Sequence, residues 1–202
     1  MLSPKGGGVS FCHDVLRDAR VFRLLPKIDA ELAAEAREGR CRKCGDRLHK
    51  ATFPRKVRGV PAEVEHEYET RHSFCCAGRN CRKRVTPPSV RYFGRRFYVA
   101  AAFVVLSAMQ HGVTPKRIEE LRALTGCKTI SARTLYRWRE WWGEMFVATP
   151  FWKSARARFS PPVDADALPA SIIKRFRGDD RDRLVAVLRF LSPLSTRTAM
   201  GA

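Results

Sequence analysis

Acidic side chains are what this sequence is short of: 20 Asp and Glu stand against 39 Lys and Arg, giving a formal net charge of +19 over 202 residues. A two-metal transposase core of the RNase-H-like type needs three carboxylates on a strand-rich sheet. The acids here, such as Asp164, Asp166, Asp179 and Asp180, fall on helix faces or in turns of a stretch whose pattern is helical. Tyrosine chemistry is no better served, because Tyr92, Tyr98 and Tyr136 sit near basic residues without an accompanying array of His and Arg. The chain is therefore expected to bind rather than to catalyse. Long apolar runs are missing too: the longest, residues 97–109, falls well short of the span of about 20 residues that a bilayer requires. It reads as a buried helix, and no membrane partner is expected. Residues 1–9 are followed by no apolar stretch of signal-peptide type, so a cytoplasmic protein is expected. There is no internal repeat, and nothing of low complexity beyond Gly6-Gly7-Gly8.

What is present points to a polyanion. An excess of positive charge on this scale raises the local concentration of phosphates and supplies the counterion release that dominates non-specific nucleic-acid affinity. Hydrophobic residues make up 45% of the chain, enough for most of it to fold. Seven cysteines, an odd number, read in a reducing compartment as metal ligands or buried thiols rather than as a disulfide framework.

The pattern along the chain predicts a mainly α protein with a small β zinc ribbon. Four segments are expected: N-terminal arm and short helices (1–39), zinc ribbon (40–94), helix-turn-helix (95–148) and a C-terminal helical segment (149–202). Residues 11–25 and 29–37 show helical spacing separated by Pro26, whose ring and missing N–H disfavour a helix interior. Short strand-like runs occupy 48–53, 68–76 and 91–93, and a long helix is expected over 96–110. Thr114-Pro115 is an N-cap followed by proline at the first helical position, Gly126 is a stop, and a further helix opens near Ser131 and runs to about Phe146. Helices are also expected over 151–159, 168–176 and 183–191.

Cys41 and Cys44 form a C-x-x-C turn followed by Gly45, and Cys75, Cys76 and Cys81 form a second group downstream. Two such turns let four thiolates close a tetrahedral structural zinc site, which would replace the core that this polar segment lacks. Cys76 with Cys81 gives C-x4-C, within the usual range, whereas Cys75 gives one residue more. Adjacent strand residues face opposite ways, so only one of the pair looks at the ion, and Cys76 is the expected ligand. The ligand set is then Cys41, Cys44, Cys76 and Cys81, holding one Zn2+. His49, His72, Cys12, His13 and Cys127 read as packing or surface residues.

Basic residues crowd this segment: eight Lys and Arg against Asp46 alone over 40–58, and seven with no acid over 79–96. Arg55, Lys56, Arg82, Lys83, Arg84, Arg95 and Arg96 are the expected phosphate contacts. Phe53, Tyr92 and Phe97 lie among them, with burial the expected use of each. The helix from Ser131 divides by face, placing Leu135, Trp138 and Trp142 on a packing stripe and Arg133, Tyr136, Arg137 and Glu140 opposite. Exposed residues near the start of the second helix of a helix-turn-helix enter the major groove, where arginine pairs bidentately with guanine. Arg133 and Arg137 are the expected base contacts, with Tyr136 beside them and Lys116, Arg117 and Lys128 as backbone clamps.

The cysteine turn continuing through Asp46-Arg47-Leu48-His49, then Phe53-Pro54-Arg55-Lys56, Ser73-Phe74-Cys75-Cys76 and Cys81-Arg82-Lys83-Arg84-Val85-Thr86-Pro87-Pro88-Ser89 resembles a family of small bacterial transposase-like proteins. The resemblance extends over Thr134-Leu135-Tyr136-Arg137-Trp138, Phe151-Trp152 and Arg189-Phe190-Leu191-Ser192-Pro193-Leu194, so it covers residues 41–194. It implies a zinc-binding, DNA-associated protein linked to insertion elements. Duplex DNA is the expected partner, with a recombinase or transposase as a protein partner. RNA and protein docking remain alternatives, because basic zinc ribbons also grip structured RNA.

Overall fold

The computed structural model describes residues 13–93, 98–108 and 113–196. Helices dominate, and the strands are short and antiparallel. After a 3-10 turn at His13–Arg17, helix α1 runs Ala19–Glu38 without interruption, capped by the Asp18 carboxylate on the Arg20 amide. Pro26 lies inside it, so of the one or two short helices expected here the chain forms one. Proline at this position leaves the Phe22 carbonyl without its helical donor. The buried Tyr68 hydroxyl supplies one, donating to the Phe22 carbonyl oxygen at 2.8 Å. Tyr68→Phe removes that donor while keeping the ring, so stability should fall by about 1–3 kcal/mol. An unchanged thermal midpoint would show that the carbonyl does not depend on it.

Strands β1 (Leu48–Lys50), β4 (Phe74–Cys76) and β5 (Arg84–Val85) form a three-stranded sheet with β4 central, in the register Leu48 to Cys76 and Phe74 to Val85. Between β1 and β4 lie a two-stranded ribbon, β2 (Phe53–Pro54) with β3 (Thr70–Arg71), and a 3-10 segment at Ala62–Tyr68. No strand forms at 91–93, although Tyr92 makes a single bridge to Val99. The apolar run becomes α2 (Ala100–Ala108), buried from Ala100 through Ser107, and the outer ends of its expected range lie outside the described residues. Helices α3 (Pro115–Thr125) and α4 (Ala132–Glu140) follow, and α4 continues into a π-helical turn at Trp141–Phe146. The chain closes with α5 (Pro150–Ala155), α6 (Ala170–Ile173) and α7 (Asp180–Leu191). Helix α6 is much shorter than the 168–176 expected. Among the described residues no helix is long and apolar enough to cross a membrane.

Two apolar clusters organise these elements. The larger draws on α1, α2, α3, α4, α5, α6 and α7, and at its centre Phe93, Phe103, Trp138, Trp141, Trp142 and Phe146 stack in a chain of ring contacts. The smaller joins Ala33 of α1 to Cys41, Leu48, Phe74 and Cys76. Helix α1 thus serves both, packing Phe22, Leu25 and Ile28 into one and Ala33 into the other. That shared helix holds the cysteine segment against the helical body.

A buried polar network ties the same pieces together. Asp29 of α1, 2% exposed, accepts from the Ser89 hydroxyl at 2.6 Å, the Val90 amide at 2.7 Å and Arg91 Nε at 2.8 Å. Arg91 therefore does not belong to the surface charge of its basic run, since it is 3% exposed and lies against the Tyr68 and Tyr92 rings. Arg71, equally buried, donates through Nη2 to the carbonyls of Pro87 and Ser195. Burial lowers its pKa to about 10. The Tyr92 hydroxyl donates to the Tyr68 carbonyl, so this tyrosine is a core residue and not a stacking platform.

Candidate metal centre and nucleic-acid interface

Two tight turns bring four sulfurs together. In the first, Cys41 leads to Gly45, whose φ of +73° suits a residue without Cβ, and the Gly45 amide donates to the Cys41 carbonyl at 2.7 Å. In the second, the Cys81 and Arg82 amides both donate to the Gly78 carbonyl, at 3.0 and 3.1 Å. The two turns are held side by side by the β1–β4 pairing and by the Ala77 amide donating to the Arg47 carbonyl at 2.9 Å.

The Sγ atoms of Cys41, Cys44, Cys76 and Cys81 all lie within 4.8 Å of one another. Cys41 and Cys81 are 3.7 Å apart and Cys44 and Cys76 are 3.3 Å apart. A tetrahedron with metal–sulfur bonds of about 2.3 Å has edges of about 3.8 Å. Those two edges lie within about half an ångström of that value, so the cluster is compatible with one ion held by four thiolates. Of the two adjacent candidates the structure brings in Cys76; Cys75 turns away, its thiol 3.6 Å from the Arg82 carbonyl. The pleat of β4 decides this, as alternation along a strand requires. Neither His49 nor His72 joins the cluster.

Backbone amides prepare the sulfurs for an ion. The amides of Lys43 and Cys44 pull the Cys41 thiol down to about 6. Burial pushes the Cys76 thiol up to about 12, and the Gly78 amide donates to its sulfur at 3.4 Å. Gly78 is the residue here that sequence reasoning passed over. A Cβ at this position would stand 3.4 Å from both the Cys44 and Cys76 sulfurs and 3.2 Å from Asp46 Oδ2. Its signal was its place between the last two ligands.

On the helical side, Thr114 caps α3 by accepting from the Arg117 amide, Gly126 ends it at φ +64°, and Ser131 caps α4 by accepting from the Thr134 amide. The intervening turn is pinned by fully buried Ile130, whose carbonyl accepts from Arg122 Nε at 2.8 Å. Leu135, Trp138 and Trp142 are buried as expected, while Arg133, Tyr136, Arg137 and Glu140 are exposed, Tyr136 by 56%. Lys116 and Lys128 are exposed; Arg117 is half-buried and pairs with Glu120 at 3.0 Å.

Around the metal turns Lys56, Arg82, Lys83 and Arg84 are exposed. Arg55 is half-buried, its guanidinium 5.3 Å from the Tyr92 ring centroid. Arg95 and Arg96 lie outside the described residues, as do Phe97 and Cys12. Comparison with known proteins finds no matching family model, no matching curated protein and no matching solved structure.

Proposed function

We propose that this chain is a duplex-DNA-binding protein with one structural Zn2+, acting as an accessory factor or regulator of a mobile genetic element rather than as its catalyst. The observation that carries the reading is α4: a capped helix following a capped helix and a pinned turn, presenting Arg133, Tyr136 and Arg137 to solvent while Leu135 and Trp138 anchor it. Such a helix is positioned before DNA arrives, so little ordering cost falls on binding. The exposed basic residues of the cysteine segment add sequence-independent affinity, consistent with the net charge of +19. The donor set, four cysteine sulfurs close enough to share one ion, supports zinc in a structural site. The link to insertion elements rests on the sequence resemblance.

The test is selection of bound sequences from a random duplex pool by the zinc-loaded protein, followed by binding of the selected site and of random duplex, single strands and RNA. Replacing Arg133 and Arg137 together by Ala should weaken the selected site by about 1–3 kcal/mol per lost base contact. Random duplex should lose much less. Equal losses on both would make these residues phosphate contacts only, and preference for RNA would overturn the duplex reading.

A further inference from the structure

The segment between the two-stranded ribbon and the 3-10 turn is fastened to the helix-turn-helix, and this places one arginine at the junction of the two basic regions. Val57 and Val60 pack against the main core from either side. Gly59, at φ +79°, allows a close approach: a Cβ there would stand 3.0 Å from the Ala102 Cβ of α2. The Arg58 carbonyl accepts from the Val99 amide at 3.0 Å. With its neighbours directed inward, Arg58 is left exposed. Its Nη1 donates to the Thr129 hydroxyl at 3.0 Å, and Thr129 lies in the turn just before α4. The Tyr98 hydroxyl stands 3.0 Å from the same Thr129 oxygen, and its ring packs edge-on against Trp138 at 5.0 Å. The guanidinium is thus held on the turn residue that follows exposed Lys128 and precedes the Ser131 cap of α4.

In a helix-turn-helix seated on DNA, the residues flanking the start of the second helix face the phosphates bordering the groove that the helix enters. We propose that Arg58 is a phosphodiester-contact residue at that border, making the basic loop of the metal segment and the helix-turn-helix a single backbone-gripping surface on one stretch of duplex. This rests on the duplex-DNA reading above. Arginine suits the position because its planar fork can keep one nitrogen on Thr129 while presenting its charge to a phosphate. The Thr129 bond fixes the side chain in advance, and that reduces the rotamer freedom lost on binding.

The experiment uses the full-length, zinc-loaded chain and a random-sequence duplex, with affinity followed by fluorescence anisotropy across a salt series. A phosphate contact contributes about 0.9 to the magnitude of the slope of log affinity against log salt. Arg58→Ala should lower the slope by about one, and Arg58→Lys, which keeps the charge, should leave it near that of the wild type. Metal content and thermal midpoint are measured on both variants. An unchanged slope in Arg58→Ala overturns the proposal while leaving the DNA reading intact. Equal loss of slope in both variants also overturns it, marking Arg58 as a strut for the turn. A wild-type chain that shows no salt-dependent duplex binding overturns the DNA reading itself.

Discussion

Cys44→Ser should leave the purified protein without its one equivalent of bound metal and should unfold the two cysteine turns and their three-stranded sheet, residues 41–50 and 74–85, while residues 57–71 stay packed on the helical body, which keeps its helices. Apparent binding free energies at structural zinc sites run to roughly 10–16 kcal/mol, and because the site does not exist in the unfolded chain that energy is folding energy. Here the dependence is acute. The small cluster holds only Ala33, Cys41, Leu48, Phe74 and Cys76 as buried members, two of them ligands, so little apolar burial is available to fold the segment alone. Elemental analysis reads the metal, and amide hydrogen exchange reads the segment. Cys75→Ser is the matched control: its sulfur points away from the cluster, so metal content should stay at one equivalent. Full metal content in Cys44→Ser, or wild-type stability after chelation, would contradict the site.

The second large effect is expected in the buried polar network. Asp29→Ala strips a carboxylate that accepts three hydrogen bonds and leaves the Arg91 guanidinium, 3% exposed, without its ion-pair partner. Breaking a buried pair from one side costs about 3–5 kcal/mol, because the remaining charge is desolvated and uncompensated. For a chain of this size the thermal midpoint should drop by about 10 °C. Asp29→Leu with Arg91→Met, which removes both charges, should recover much of the loss, since a buried pair contributes little net stability over apolar side chains of similar volume. A loss below about 1 kcal/mol in Asp29→Ala would mean that water reaches Arg91.

Both predictions bear on how far the residues alone announce the fold. The helix-turn-helix outline was legible because its signals are local: Thr114-Pro115, Gly126 and Ser131 act on backbone groups within one turn of themselves, and the structure shows the Thr114 and Ser131 cap bonds and the left-handed backbone of Gly126. The cysteine ligands were legible for a related reason. Short spacings fix which thiols can share an ion, and the period of two along β4 separates Cys76 from Cys75. Charge density was a poorer guide. Arg91 and Arg71 count as positive surface in a tally of residues, yet each is buried in a network whose partners come from α1, from the Pro87–Ser89 stretch and from Ser195.

The continuity of α1 shows the boundary most plainly. Proline breaks a helix when the carbonyl it abandons finds no other donor. Nothing near Pro26 in the chain supplies one; Tyr68 does, from a 3-10 turn that packs against α1 only in the folded molecule. The placement of Arg58 on Thr129 is of the same kind, a contact across the fold between residues that carry no mutual signal. Capping, strand alternation and ligand spacing are interactions over a few residues, so the sequence by itself determined the caps of α3 and α4 and which four cysteines cluster. Burial of charge, rescue of an orphaned carbonyl and the joining of two basic regions depend on which elements pack together, and the tertiary structure alone decided them.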